Sequence, residues 1–121
     1  MLERSKTHIH LWVRDTGRAA TFYEALLGGP VRIEAPQAVL DIESPPLVLT
    51  LEERPPATSD PARFVLFVDD PRQVGHIAIA LRRAGVRIRL EDEGIEALDF
   101  DGNTWRVRLT RASTGPAVVA T

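Results

Sequence analysis

Between His8 and Val13 the chain alternates. Ile9, Leu11 and Val13 point to one side of an extended strand, and His8, His10 and Trp12 point to the other. The period then changes. Ala19, Phe22, Tyr23, Leu26 and Leu27 recur at helical spacing, which predicts an amphipathic helix. Asp15 or Thr16 stands where a helix cap is needed, and Gly28-Gly29 can supply the left-handed residue that ends it. The apolar strand face and the apolar helix face should pack together. The other strand face is left holding two imidazoles and an indole.

The same logic carries down the chain. Val31–Glu34, Ala38–Ile42 and Leu47–Glu52 read as strands, with Ser44-Pro45-Pro46 as a turn, since proline cannot donate to a ladder. Residues 54–61 form a proline-rich linker. Arg63–Val68 is a strand, and Asp69 or Asp70 caps a helix with Pro71 at its first position. Val74, Ile77, Ala78 and Leu81 face inward on that helix, which ends near Gly85. Val86–Leu90, Glu96–Phe100 and Thr104–Leu109 are the remaining strands. The tail 111–121 is expected to be loose.

Shifted by about 55 residues, the chain matches itself. His8–Asp15 falls on Arg63–Asp70, Leu26 on Leu81, and Val31-Arg32-Ile33 on Val86-Arg87-Ile88. The sequence therefore predicts an α+β domain over residues 1–121. It consists of two tandem βαβββ modules, about 7–53 and 62–110, forming a curved, mainly antiparallel sheet with the helices on its outer face. Neither module is long enough to hold a stable core alone.

A formal net charge of -2 argues against general nucleic-acid binding. The absence of cysteine removes disulfides, thiolate metal sites and cysteine nucleophiles. No apolar run is long enough to span a bilayer, and the N-terminus does not read as a signal peptide. A cytoplasmic protein with no membrane or nucleic-acid partner is expected.

Alternation also sorts the strands' residues by face. Toward the helices go Ile9, Leu11, Val13, Leu47, Leu49, Leu51, Phe64, Leu66, Val68, Trp105, Val107 and Leu109, a wholly apolar set. The opposite face takes His8, His10, Trp12, Val48, Thr50, Arg63, Val65, Phe67, Arg106 and Arg108, with Asp41 and Asp99 as further candidates. An apolar floor with a few placed polar groups describes a small-molecule site. Arg63 and Arg106 suit a carboxylate or phosphate, and Trp12 and Phe67 suit an apolar or aromatic body. The competing reading pairs those arginines with Asp41, Asp99 or neighbouring glutamates in a structural network. His76, Arg82-Arg83 and Glu91-Asp92-Glu93 read as solvated surface, and Asp101-Gly102-Asn103 as a turn.

The duplicated module, Val13-Arg14-Asp15 before a helix with Phe22-Tyr23 and Leu27-Gly28, and the stretch Asp99–Trp105 resemble the vicinal oxygen chelate superfamily. That group includes glyoxalases, bleomycin-resistance proteins, fosfomycin-resistance enzymes and extradiol dioxygenases. Leu40–Leu51 is most similar to its cadmium-induced and organoarsenical-lyase branch, although this chain lacks that branch's cysteine pair. The resemblance places metal ligands at four positions, occupied here by His8, Val48, Arg63 and Arg106. Only His8 matches, so no cofactor is expected and a divalent metal is disfavoured. The resemblance implies a homodimer and a small-molecule ligand, and a sequestering protein is the favoured reading. The alternatives are a metal-dependent lyase, isomerase or dioxygenase with a departed ligand set, or a metal-free enzyme with His8 as general base.

Overall fold

The computed structural model describes residues 6–54, 61–110 and 116–120. Its elements are β1 (Thr7–Val13), α1 (Thr16–Leu27), β2 (Val31–Glu34), β3 (Gln37–Ile42), β4 (Leu47–Glu53), β5 (Arg63–Val68), α2 (Pro71–Arg83), β6 (Ile88–Glu91), β7 (Gly94–Leu98), β8 (Thr104–Leu109) and β9 (Ala117–Ala120). Most of the expected linker, 55–60, lies outside the described residues.

The strands form two sheets, one per module, ordered β1-β4-β3-β2 and β6-β7-β8-β5-β9. In each, the module's first strand runs parallel to its last, and the other pairings are antiparallel. The α+β architecture is thus the expected one, with its strands divided between two sheets. Asp15 caps α1, its carboxylate accepting from the backbone N–H groups of Gly17 and Arg18, and Asp70 caps α2 by accepting from that of Arg72. Gly28 ends α1 at φ 75°, where other residues are strained.

Alternation fixes the register. Leu47, Leu49 and Leu51 are wholly buried, while Val48, Thr50 and Glu52 between them are half-buried. Each buried leucine is worth about 1.5–3 kcal/mol, and a one-residue slip would expose all three. In β8, Trp105 and Val107 are buried and Arg106 and Arg108 face the other way. One core cluster runs through both modules, from Phe22 and Tyr23 of α1 to Trp105 and Val107 of β8.

Three local expectations are corrected. The strands expected at Val86–Leu90 and Glu96–Phe100 run instead over Ile88–Glu91 and Gly94–Leu98, because a two-residue turn, Asp92-Glu93, sets Glu91 opposite Gly94. Asp99 does not join the open sheet face. It is buried, and its Oδ1 accepts from the backbone N–H groups of Asp101 and Asn103, which draws the chain out of the ladder. The tail is not loose throughout: Ala117–Ala120 pairs antiparallel with β5, and Val118 enters the core.

Candidate anion-binding cavity

The second sheet carries its charges in rows, because cross-strand partners stand side by side. Arg89, Glu96 and Arg106 are successive partners across β6, β7 and β8. Glu96 bridges them: its Oε2 accepts from Arg106 Nε at 3.1 Å, and its Oε1 lies 3.0 Å from Arg89 Nη2. In the next row Glu91, Gly94 and Arg108 are partners. Glu91 Oε1 is buried without a hydrogen bond, 3.8 Å from both Arg106 Nε and Arg108 Nη2. A Cβ on Gly94 would meet Val107 O at 1.8 Å, so only glycine lets β7 approach β8 there.

Arg63 stands in the row beyond, opposite Thr104, whose partner on β7 is Leu98. Among the described residues that row contains no carboxylate, and Arg63 has no ion pair. Arg63, Phe64, Val65, Arg89, Glu96, Thr104 and Arg106 line a cavity of about 360 Å³. Three guanidiniums against one carboxylate leave its wall positive.

The first sheet's open face is separate. His8, His10, Trp12, Val48 and Thr50 lie on it as expected, and none of them lines the cavity. His8 pairs across the ladder with Val48, and His10 with Thr50. His10 Nε2 is 3.2 Å from Glu52 Oε1, which also accepts from Gln37 Nε2 at 3.1 Å. Those two contacts, the imidazole first, draw the Glu52 carboxyl below its ordinary range. Trp12 sits edge-on to His10, with the Arg54 guanidinium 4.8 Å over its ring. Asp41 is held by Lys6, whose ammonium it and Glu43 push above the usual value. Phe67 and Arg108 flank the cavity on β5 and β8 without lining it.

Sequence reasoning found Arg63 and Arg106 and missed Arg89, Glu96 and Thr104. It also read Glu91 as solvated surface, whereas its carboxylate turns into the arginine cluster. The Arg89–Glu96–Arg106 row becomes visible once the Asp92-Glu93 turn fixes the hairpin register.

A sequence model of the glyoxalase/bleomycin resistance protein/dioxygenase superfamily matches residues 7–107. The chain belongs to that superfamily. Among solved structures it is similar to a glyoxalase/bleomycin resistance protein from Albidiferax ferrireducens, with TM-score 0.70 and 22% identity over 87% of this chain and 98% of that one. It is similar to a fosfomycin resistance protein from Mesorhizobium loti, with TM-score 0.68 and 14% identity over 92% and 95%. It is also similar to a lactoylglutathione lyase from Agrobacterium tumefaciens, with TM-score 0.64 and 16% identity over 88% and 94%. At such identities the likeness concerns the fold. No functionally curated sequence matches the chain.

Superfamily membership raises the question of a resident metal, and the donor chemistry answers it. Of the four expected ligand positions only His8 offers a lone pair; Val48 offers none, and Arg63 and Arg106 are cations without acceptors. Among the described residues no three His, Cys, Asp or Glu are grouped to hold a metal ion. The residues at these positions do not fit a divalent cation.

Proposed function

We propose that this superfamily member is a small-molecule binding protein whose second-sheet cavity takes a compact anion through Arg63 and Arg106. The observation that carries the reading is Arg63 itself: a guanidinium on the cavity wall with no carboxylate among the described residues of its row, beside two arginines that Glu96 already holds. Arg106 is held through its Nε, which leaves its terminal N–H groups to donate beside Arg63. Carboxylate and phosphate oxygens are the natural acceptors for such a pair. At about 30 Å³ per water-sized group, the cavity holds about a dozen non-hydrogen atoms. An organoarsenical-lyase role has no support in a chain without cysteine.

Calorimetric titration with acetate, benzoate and phosphate tests the proposal. Arg63→Ala should weaken binding about 10- to 100-fold, as expected for a hydrogen bond to a charged group worth about 1.5–3 kcal/mol. Equal affinity in wild type and variant overturns it.

A further inference from the structure

Charge is unevenly spread along the chain. Residues 71–90 hold five arginines, one histidine and no aspartate or glutamate, in a chain whose formal net charge is -2. Arg89 belongs to the cavity; the others lie on α2 and the turn after it. On α2, Arg72, His76, Ile79 and Arg83 recur at i, i+4, i+7 and i+11, which puts them on one stripe. All four are exposed, Ile79 at 49%. The helix's other side is occupied: Ala78 and Leu81 are buried, and Val74 and Ile77 pack on the core. The helix C-terminus favours Arg82 and Arg83, but Arg72 stands in the first turn, where the dipole opposes a cation. Its ion pair with Asp70, at 3.5 Å, is exposed and worth little. Beside the stripe, between α1 and α2, runs a groove of about 290 Å³ whose lining includes Ala25, Leu27, His76, Ile77 and Ala80.

We propose that this outer face docks an acidic amphipathic helix of a partner protein. Laid along α2, such a helix sets carboxylates on Arg72 and Arg83, which stand about 16 Å apart along the axis. An apolar side chain covers Ile79, and a neighbour on the same seam enters the groove beside His76. The spacing of the stripe is that of a helix-to-helix seam, and arginine forks take carboxylates through two hydrogen bonds at once. Other polyanions fit less well. Nucleic acid meets a chain that is net negative. An anionic membrane finds one exposed aliphatic residue on the stripe, because the helix's apolar face is turned into the core. A partner helix uses the charge, Ile79 and the groove together. The cavity is on the sheet's open face and this surface is on the helical layer, so the docking does not depend on the anion reading.

Fluorescence anisotropy with two labelled heptad-repeat peptides tests this. Both carry isoleucine and leucine on the apolar seam, flanked by glutamate in one and by lysine in the other. The wild type should bind the glutamate peptide about tenfold or more tightly than the lysine peptide, with an affinity that falls as salt is raised. Arg72→Glu combined with Arg83→Glu, both at exposed positions, should stay folded by circular dichroism and reverse that preference. Ile79→Ala should weaken the glutamate peptide about threefold or more. Acetate at matched ionic strength should not displace the peptide, which keeps this surface distinct from the cavity. A wild type that prefers neither peptide, a double variant that keeps the wild-type preference, full affinity in Ile79→Ala, or displacement by acetate overturns the inference. So does tighter binding to phosphatidylserine vesicles or to a DNA duplex than to the glutamate peptide.

Discussion

Tyr23 and Asp99, 76 positions apart, share a buried hydrogen bond of 2.5 Å in which the phenol donates to Asp99 Oδ2. The bond ties helix α1 of the first module to the turn before β8 of the second. Trp105 Nε1 donates to the same phenol oxygen at 3.1 Å, and Asn103 Nδ2 donates to Asp99 Oδ2 at 2.8 Å. Nearby, Arg18 lies over the Phe100 ring, and the Arg14 backbone N–H donates to Asp101. Burial, opposed by that N–H, raises the Asp101 carboxyl above its ordinary range.

Tyr23→Phe removes one partner from Asp99 and one from Trp105, and both stay buried. The loss should be about 1–3 kcal/mol in urea unfolding. A loss near zero would show that the phenol bond is not what joins the modules.

The same phenol gives a pH signature. Burial first, then the Asp99 charge, pushes the Tyr23 hydroxyl well above its ordinary 10.0. The folded state favours the neutral form, so this contribution is complete below pH 10 and is lost as pH rises through the higher folded value. The stability gap between wild type and Tyr23→Phe should narrow above pH 10. Tyr23 is the chain's only tyrosine, so its ionisation can be followed by tyrosinate absorbance.

The cavity arginines should separate binding from stability. Arg63→Ala should leave stability within about 0.5 kcal/mol, because it breaks no ion pair among the described residues. Arg106→Ala should cost up to about 1 kcal/mol, since it strips a half-exposed partner from Glu96 and Glu91. Both should weaken anion binding. Calorimetry and urea unfolding on the two variants check the split, and the wild-type affinity should fall as salt is raised.

Two glycines should respond in opposite ways to alanine. At Gly94 the new methyl would strike the Val107 carbonyl oxygen at 1.8 Å, so Gly94→Ala should lose about 3 kcal/mol or more. At Gly75, in exposed α2, nothing lies within 4 Å, and Gly75→Ala should gain about 0.5–1 kcal/mol. Thermal unfolding of the pair is the check.

The modules were legible because alternation along β1, β4, β5 and β8 and the repeat are properties of neighbouring residues. The helix caps at Asp15 and Asp70 were legible for the same reason. What stayed hidden depends on register. Glu96 meets Arg106, and Glu91 meets Arg108, only after a turn has set two strands side by side. Asp99 read as a strand residue because alternation does not register a carboxylate that accepts from Asp101 and Asn103 just ahead of it, and because Tyr23, its fourth donor, is distant in sequence. β9 read as tail because four small residues become a strand only against a waiting edge. The open-face residues other than Asp99 lie on the expected side, but a face does not say which sheet it belongs to. His8 and Arg63 therefore lie apart within one chain.

The Asp92-Glu93 turn has a reach beyond its size. It does not line the cavity, yet by setting Glu91 opposite Gly94 it brings Arg89 across from Glu96. Lengthening it by a single residue would slide β6 along β7 and turn Arg89 and Glu91 to the sheet's other side, while Glu96 stays with Arg106. The charge of the pocket is therefore set in part from outside it, by the length of a loop that decides whether Arg89 stands on its wall.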